Sequence, residues 1–273
     1  MLNPLPMQAK LERLRGNFRE LGSVVVAYSG GLDSAFVLAV ANQVLGGNAL
    51  GVTAHSPSVP ERERVDAERI ARELGANHRV IESREMHDPR YASNPANRCF
   101  YCKSELYTLT EQIRQELGFS HVVNGTNVDD LGDYRPGLEA AKNAGVRSPL
   151  VEVGLTKEET RALAKALGLG FWDKPAAACL SSRIPYGTSV TPERLKQVEV
   201  LEDALHGLGL RQVRVRYHQD LARIEVAKDE LEAAFSQREA IVKAGKAAGF
   251  TFVSLDLAGY RTGSLNAALR ILQ

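Results

Sequence analysis

Val24-Val25-Val26-Ala27-Tyr28, then Ser29-Gly30-Gly31-Leu32-Asp33-Ser34, then Ala35-Phe36-Val37-Leu38-Ala39-Val40 follow one another without a break. They read in order as a strand, a tight glycine turn and the start of a helix. Two glycines let the backbone approach a ligand closely, and the helix that follows aims unpaired N–H groups and the positive end of its dipole at that ligand. Ser29 and Ser34 add hydroxyls, with Ser34 also placed to cap the helix. Asp33 repels a bare anion, so its expected task is to hold a metal ion or to shape the loop. No Gly-Lys-Ser/Thr follows, which excludes a Walker A loop, and the Gly-x-Gly-x-x-Gly of a dinucleotide fold is absent. A serine-glycine turn with no ligand is the bland alternative.

Outward from this stretch, strands and helices alternate. Lys10–Leu21 reads as an amphipathic helix, Leu50–His55 as a strand, and Pro60–Leu74 as a charged helix with Val65 and Ile70 inward. Arg79–Glu82 is a third strand, Lys103–Leu117 a helix, His121–Asn124 a fourth strand ending at Gly125, and Lys157–Leu167 a helix stopped by Gly168. This alternation predicts an α/β fold with a doubly wound parallel sheet, whose ligand crevice lies at the carboxyl ends of the strands. The pattern changes near Arg183-Ile184-Pro185-Tyr186-Gly187. Helix Pro192–Leu208, strands Gln212–Tyr217 and Ala222–Val226, helix Asp229–Ala248 and strand Thr251–Leu255 then predict a second, smaller α+β domain. Residues 1–184 and 185–273 are the expected domains.

Composition narrows the function classes. Lysine plus arginine, 34, nearly balances aspartate plus glutamate, 33, so the overall field gives no reason to expect nucleic acid or an anionic membrane as partner. No apolar run approaches the ~20 residues that cross a bilayer, and the first ten residues lack a signal-peptide core, so a cytoplasmic protein is expected. Three cysteines without a secretory context favour reactive or metal-bound thiols over a disulfide framework.

Four further groups carry candidate chemistry. Asn124-Gly125-Thr126-Asn127-Val128-Asp129-Asp130 leaves the fourth strand on the edge that bears the glycine loop; its small residues admit a ligand, and Asp129 with Asp130 could hold Mg²⁺ on phosphates, although an Asx turn would use the same residues. Cys99-Phe100-Tyr101-Cys102 has the spacing that lets two thiolates reach one metal or each other. A zinc site needs four ligands and only Cys179 remains; three thiolates suit an iron-sulfur cluster with one open iron, and His55, His87 or His121 could also complete a site. Lys174-Pro175-Ala176-Ala177-Ala178-Cys179-Leu180-Ser181-Ser182-Arg183 reads as an accessible loop, with Arg183 placed to neutralise phosphate or to lower the Cys179 pKa. Arg214 and Arg216 share one face of a strand that is expected to be exposed, where they suit a phosphorylated small molecule or an RNA backbone, a solvated basic surface being the bland alternative. Gly259–Asn266 has the glycines and donors of a weak anion loop.

Ser29–Ser34 resembles the PP-loop of ATP pyrophosphatases. Together with Gly125-Thr126-Asn127, Ser148-Pro149-Leu150 followed by Lys157, and Ala178-Cys179-Leu180-Ser181-Ser182-Arg183, it resembles the ATP-dependent sulfur transferases that make the nickel-pincer nucleotide of lactate racemase, the LarE family. The resemblance runs over essentially the whole chain. It implies a cytoplasmic enzyme, expected to be a homo-oligomer, that uses ATP and Mg²⁺ to adenylate a carboxylate of pyridinium-3,5-biscarboxylate mononucleotide, releasing pyrophosphate. Sulfur then displaces AMP and leaves a thiocarboxylate. The implied nucleotide site is Ser29, Gly30, Gly31, Asp33, Ser34, Gly125, Thr126, Asn127 and Asp129. Cys179, Asp33 and Arg183 are the expected catalytic groups, and Arg183, Arg214 and Arg216 the groups that bind the acceptor. Some members give up their own cysteine sulfur, whereas three-cysteine members resemble enzymes with a 4Fe–4S cluster, so Cys99, Cys102 and Cys179 are expected as iron ligands. The alternatives are a tRNA thiolation enzyme, an amide synthetase of the same superfamily, or a nucleotide-binding regulatory module without turnover.

Overall fold

The computed structural model describes residues 6–132 and 136–261. In chain order the elements of the first part are α1 (Met7–Leu21), β1 (Val24–Ala27), α2 (Leu32–Leu45), β2 (Ala49–His55), α3 (Glu61–Glu73), β3 (Asn77–Glu82), α4 (Pro89–Ala92), α5 (Arg98–Leu117) and β4 (His121–Val123). There follow α6 (Pro136–Asn143), α7 (Pro149–Glu152), α8 (Lys157–Ala166), α9 (Pro192–Gly207), β5 (Val213–His218), β6 (Leu221–Val226), α10 (Leu231–Ser236), α11 (Arg238–Ala247) and β7 (Phe252–Leu255).

The chain forms two compact units. The first takes the chain up to Ser56, then Glu61–Glu85 and Asn97–Ala177; the second takes Pro57–Pro60, Met86–Ala96 and the chain from Ala178 onward.

The first unit holds a four-stranded sheet in the order β3-β2-β1-β4, with every pairing parallel. This is the expected α/β sheet. Val24, Val25 and Val26 are all fully buried because the two faces of β1 are both covered, which is why the strand reads as a continuous apolar run. Val24 and Val26 join a core with Leu11, Phe18, Phe36 and Leu163, while Val25 joins another with Val52, Ile113 and Val122. Burial on this scale, about 1.5–3 kcal/mol per large apolar side chain, fixes β1 at the centre of the sheet. Between β1 and β4 the strand order reverses, and a doubly wound sheet opens its ligand crevice at such a switch point.

In the second unit β5 pairs antiparallel with β6, and β6 parallel with β7. The apolar face of α9, with Leu195, Val198 and Leu205, is buried in this unit.

Several local expectations are corrected. Val65 is half exposed, because the buried stripe of α3 is Ala67, Ile70 and Ala71 and Val65 stands off that face. The helix expected over Asp229–Ala248 is broken at Gln237, where the Ser236 hydroxyl and the Gln237 amide both donate to the Ala233 carbonyl and compete with the helical ladder. The α5 helix begins at Arg98 rather than Lys103, so Cys99 and Cys102 lie at its start, on the helix itself. Of the expected C-terminal anion loop, 262–266 lie outside the described residues.

Candidate functional site

Within the first unit the loop Ser29–Ser34 joins the end of β1 to the start of α2. Gly30 adopts φ 73°, and a Cβ there would lie 2.7 Å from the Ala67 Cβ and 2.9 Å from its Cα, so the turn and its contact with α3 both require glycine. Gly31 occupies the N-cap position of α2, with no side chain capping the helix. Ser34 is therefore not the cap that the sequence suggests. One turn into the helix, its hydroxyl donates to the Gly31 carbonyl at 3.1 Å, accepts the Ser29 N–H at 3.2 Å and lies 3.1 Å from the Ser29 hydroxyl. The two serines thus hold the loop around a helix N-terminus without blocking it.

The segment after β4 closes the other side. A Cβ on Gly125 would lie 2.5 Å from the Ser34 backbone nitrogen, so the two backbones touch. Asn124 Oδ1 accepts from the Thr126 N–H at 3.1 Å and the Ser148 hydroxyl at 2.9 Å. Asn127 Oδ1 accepts from the Asp129 and Asp130 N–H groups at 3.0 and 3.3 Å, and Asp130 Oδ2 accepts the Asn127 N–H at 3.1 Å. The Asx geometry is real, and it serves to present the segment to the loop.

Two buried groups at this edge lack hydrogen bonds of good geometry. They are Asp33 Oδ1 and Asn127 Nδ2, the latter on a fully buried residue. Buried polar atoms are ordinarily satisfied, so an orphaned donor and acceptor beside a helix N-terminus fit a polar ligand. Burial raises the Asp33 carboxyl above its ordinary value, while the Lys157 charge and the Asn127 amide pull it back down. A carboxylate with a buried, unbonded oxygen suits a divalent cation on phosphates; Asp129, whose Oδ2 accepts the Lys157 N–H at 2.8 Å, stands on the same segment.

In the second unit Cys179 precedes a 3₁₀ turn, Leu180–Arg183, and is half-buried. The turn is held on all sides. The Leu180 N–H donates to the Ser58 carbonyl at 2.7 Å, the Ser181 hydroxyl lies 2.6 Å from that of Tyr91, and the Ser182 hydroxyl donates to the Cys179 carbonyl at 2.7 Å.

Arg183 is 1% exposed, which corrects the expectation of an accessible guanidinium. Nε and Nη2 form a bidentate pair with Glu202, both bonds 2.9 Å, and Nη1 donates to the Ala178 and Cys179 carbonyls at 2.6 and 2.9 Å. Glu202 also accepts the Val215 N–H at 2.9 Å. Burial opposes ionisation of Glu202, but the Arg183 cation and these bonds outweigh it and hold the carboxyl below its ordinary value. Arg183 therefore shapes the backbone that carries Cys179.

Arg214 and Arg216 share a strand face as expected, yet each is only 5% exposed, because that face is buried too. Arg216 Nη2 pairs with Glu225 at 2.7 Å and Nη1 donates to the Ser182 carbonyl at 3.0 Å. Arg214 donates to the Val213 carbonyl at 2.7 Å and stacks over Tyr260, 5.3 Å from its ring centroid. Burial and the nearby Arg183 charge push the Arg214 guanidinium down to about 10, so it stays protonated at neutral pH. Arg183 pairs with Glu202, Arg216 and Arg223 with Glu225, and Arg223 also with Asp256, so arginines and carboxylates are gathered in the unit that bears Cys179.

The structure thus joins the loop and the segment 124–130 in one unit, and Cys179 with the three arginines in the other. Cys99 is exposed and Cys102 half-buried on α5 in the first unit. Among the described residues, no group of three or more histidine, cysteine, aspartate or glutamate side chains is gathered so that it could hold a metal ion. No described helix is long and apolar enough to cross a membrane. Sequence reading missed Glu202, although an acid at position i+7 from Leu195 and i+4 from Val198, on a face continued by Leu205, signals a buried pair. It also gave Lys157 no role.

Comparison with known proteins adds three findings. The NAD synthase family profile matches residues 9–95, which include the loop. An uncharacterized protein of Synechocystis sp. is 46% identical over 96% of this chain and 99% of its own, and the pyridinium-3,5-bisthiocarboxylic acid mononucleotide synthase of Lactiplantibacillus plantarum is 37% identical over 96% of both chains. A tRNA-specific 2-thiouridylase of Rickettsia rickettsii is 29% identical over 56% of this chain and 52% of its own.

Proposed function

The chain belongs to the family of the pyridinium-3,5-bisthiocarboxylic acid mononucleotide synthases, and from that premise we propose that it is an ATP-dependent sulfur transferase which adenylates a carboxylate of a pyridinium mononucleotide and converts it to a thiocarboxylate. The observation that carries the ATP half is the open α2 N-terminus framed by Ser29 and Ser34, with Asp33 beside it, whose Oδ1 is buried without a hydrogen bond of good geometry. Phosphates meet N–H groups and hydroxyls there, and Asp33 with Asp129 would hold the magnesium ion, which neutralises phosphate charge when bound.

A carboxylate is a poor acyl donor. Attack of its oxygen on the α-phosphorus forms an acyl–O–P bond, and the bond to the β-phosphate breaks with its electron pair going to pyrophosphate. Sulfur then attacks the acyl carbon and AMP leaves with the bridging oxygen. Arg214 and Arg216 are the cationic groups that suit the acceptor's phosphate, and Arg183 holds the backbone turn on which Cys179 sits.

Cys99, Cys102 and Cys179 are proposed as the three ligands of a 4Fe–4S cluster, a reading supported by thiol count and spacing. The Cys99-x-x-Cys102 pair starts α5 with both thiols at least partly accessible, which suits metal binding. Iron and sulfide analysis after anaerobic purification tests it, each cysteine-to-alanine variant losing the iron while still releasing pyrophosphate. Between sulfur transfer to a mononucleotide and to tRNA, the share of the chain matched, 96% against 56%, favours the mononucleotide. The testing experiment is mass spectrometry of the acceptor after incubation with ATP: a sulfur-for-oxygen exchange that needs ATP and is accompanied by pyrophosphate is expected.

A further inference from the structure

Arg183 grips the Cys179 backbone from one side, and a second element of the same unit grips it from another. The 3₁₀ turn Leu180–Arg183 runs directly into the loop 184–188, and the short segment from Tyr91 in α4 to Asn94 is bonded to both. Tyr91 is almost completely buried, and its hydroxyl meets that of the fully buried Ser181, two residues after Cys179. Asn94 is fully buried as well. Its Nδ2 donates to the carbonyls of Pro185 and Thr188, both at 2.8 Å, and lies 3.3 Å from that of Ile184, while its own carbonyl accepts the Gly187 N–H at 3.0 Å. The Val190 N–H closes the far end of the loop on the Ala92 carbonyl at 2.8 Å.

The residue type at 94 is set by two demands at once. With φ 59° the residue lies in the left-handed region, which asparagine adopts far more readily than most side chains do. The Asn94 N–H donates to the Tyr91 carbonyl at 2.9 Å, so the chain turns sharply out of α4 and carries the amide into the loop. There one amide group serves three carbonyls. An apolar side chain of the same size would fill the space and leave them without that donor, and a carboxylate would repel them. Asparagine meets both demands, and glycine would meet only the first.

We propose that Tyr91 and Asn94 are positioning residues for the sulfur-transfer step: Tyr91 holds the turn at Ser181, Asn94 holds the loop that follows it, and together they set where the Cys179 thiol stands. The assignment rests on the sulfur-transfer reading above and extends it to two residues that act through the backbone around Cys179. A reacting group displaced by about 1 Å can lose on the order of 10²-fold in rate, so a clamp of this kind governs transfer. Adenylation depends on the loop Ser29–Ser34 in the other unit, and the two half-reactions are therefore expected to respond differently when the clamp is cut.

The test uses the full chain with ATP, the pyridinium biscarboxylate mononucleotide and a sulfur source, for wild type, Tyr91→Phe, Asn94→Ala and Asn94→Gly. It reads the pyrophosphate released in the first turnover, kcat and KM for thiocarboxylate formation, and Tm. In each variant kcat is expected to fall roughly 10- to 100-fold, with KM for the acceptor and the first-turnover pyrophosphate held within about twofold. Glycine accepts the positive φ, so Asn94→Gly melts above Asn94→Ala, yet it lacks the same amide and transfers sulfur as slowly. Recovery of transfer in step with melting from Asn94→Ala to Asn94→Gly would make Asn94 a structural residue. Equal loss of pyrophosphate and thiocarboxylate, or an unchanged kcat in Tyr91→Phe and Asn94→Gly, would likewise overturn the proposal. Should the Asn94 variants not fold, Tyr91→Phe, which keeps the buried ring, decides it by the same split between the half-reactions. Failure of the broader reading looks different, because there the wild-type protein itself forms no thiocarboxylate from the acceptor and ATP.

Discussion

Gly125 and Ser34 are in backbone contact: a Cβ built on Gly125 would stand 2.5 Å from the Ser34 nitrogen and 2.7 Å from its Cα. The segment after β4 and the first turn of α2 therefore form one wall, with backbone on both sides and no flexible side chain to yield. Gly125→Ala is expected to push the wall apart, costing about 1–3 kcal/mol of stability and most of the pyrophosphate release. At Gly30 the conflict is with Ala67, so Gly30→Ala combined with Ala67→Gly recovers only part of the loss; the Ala67 Cα at 2.9 Å and the positive φ remain. Urea midpoints and a coupled pyrophosphate assay read both effects.

Asp33→Ala and Ser34→Ala should each lower ATP-dependent pyrophosphate release by on the order of 10²-fold or more while near-native melting is kept. Among the described residues the Ser34 hydroxyl bonds only to Ser29 and Gly31. Normal pyrophosphate release from both variants would mean that the loop holds no phosphate.

The Arg183–Glu202 pair predicts an acid-sensitive second unit. Glu202 has a folded pKa below its unfolded value of 4.5, so the unfolded chain takes up protons first as pH falls. The pair's stabilisation is complete above that value and fades as pH drops through the lower folded one. Glu202→Ala leaves the Arg183 cation buried and should cost about 3–5 kcal/mol. Glu202→Gln should flatten the acid limb of a urea-midpoint profile between pH 3 and 7, and should alter the alkylation rate of Cys179 because Arg183 no longer fixes its carbonyl. An unchanged pH profile would contradict the linkage.

Burial changes how Arg214 and Arg216 must be tested. Charge reversal on a solvated strand is mild, but here it would place a carboxylate beside Glu202 or Glu225 and unfold the unit. Arg214→Gln and Arg216→Gln are the informative variants. Each should weaken acceptor binding by roughly 10- to 100-fold, the effect of losing a charged hydrogen bond, and leave ATP affinity unchanged. Unchanged acceptor affinity in both would make the two arginines purely structural.

The sheet was readable because its signals are local. Three consecutive valines followed by Ser29-Gly30-Gly31 encode a central strand, a close approach and a helix start within about a dozen residues, and the positive φ of Gly30 and its contact with Ala67 bear that out. The state of Arg183, Arg214 and Arg216 was not readable, because it depends on partners 19 and 9 residues away, Glu202 for Arg183 and Glu225 for Arg216. Alternation in β5 correctly put Arg214 and Arg216 on one face, but only the tertiary fold decides whether that face meets water.

The most direct test of the central claim follows one oxygen atom. The acceptor is labelled with oxygen-18 in its carboxylates and incubated with the protein, ATP and a sulfur source, and the released AMP is examined by mass spectrometry. If the carboxylate attacks the α-phosphorus and sulfur then displaces AMP, one labelled oxygen passes from acceptor to AMP for each thiocarboxylate formed, with pyrophosphate as the other product. Unlabelled AMP, or ADP and phosphate in place of AMP and pyrophosphate, would contradict adenylation of the carboxylate and with it the proposed function.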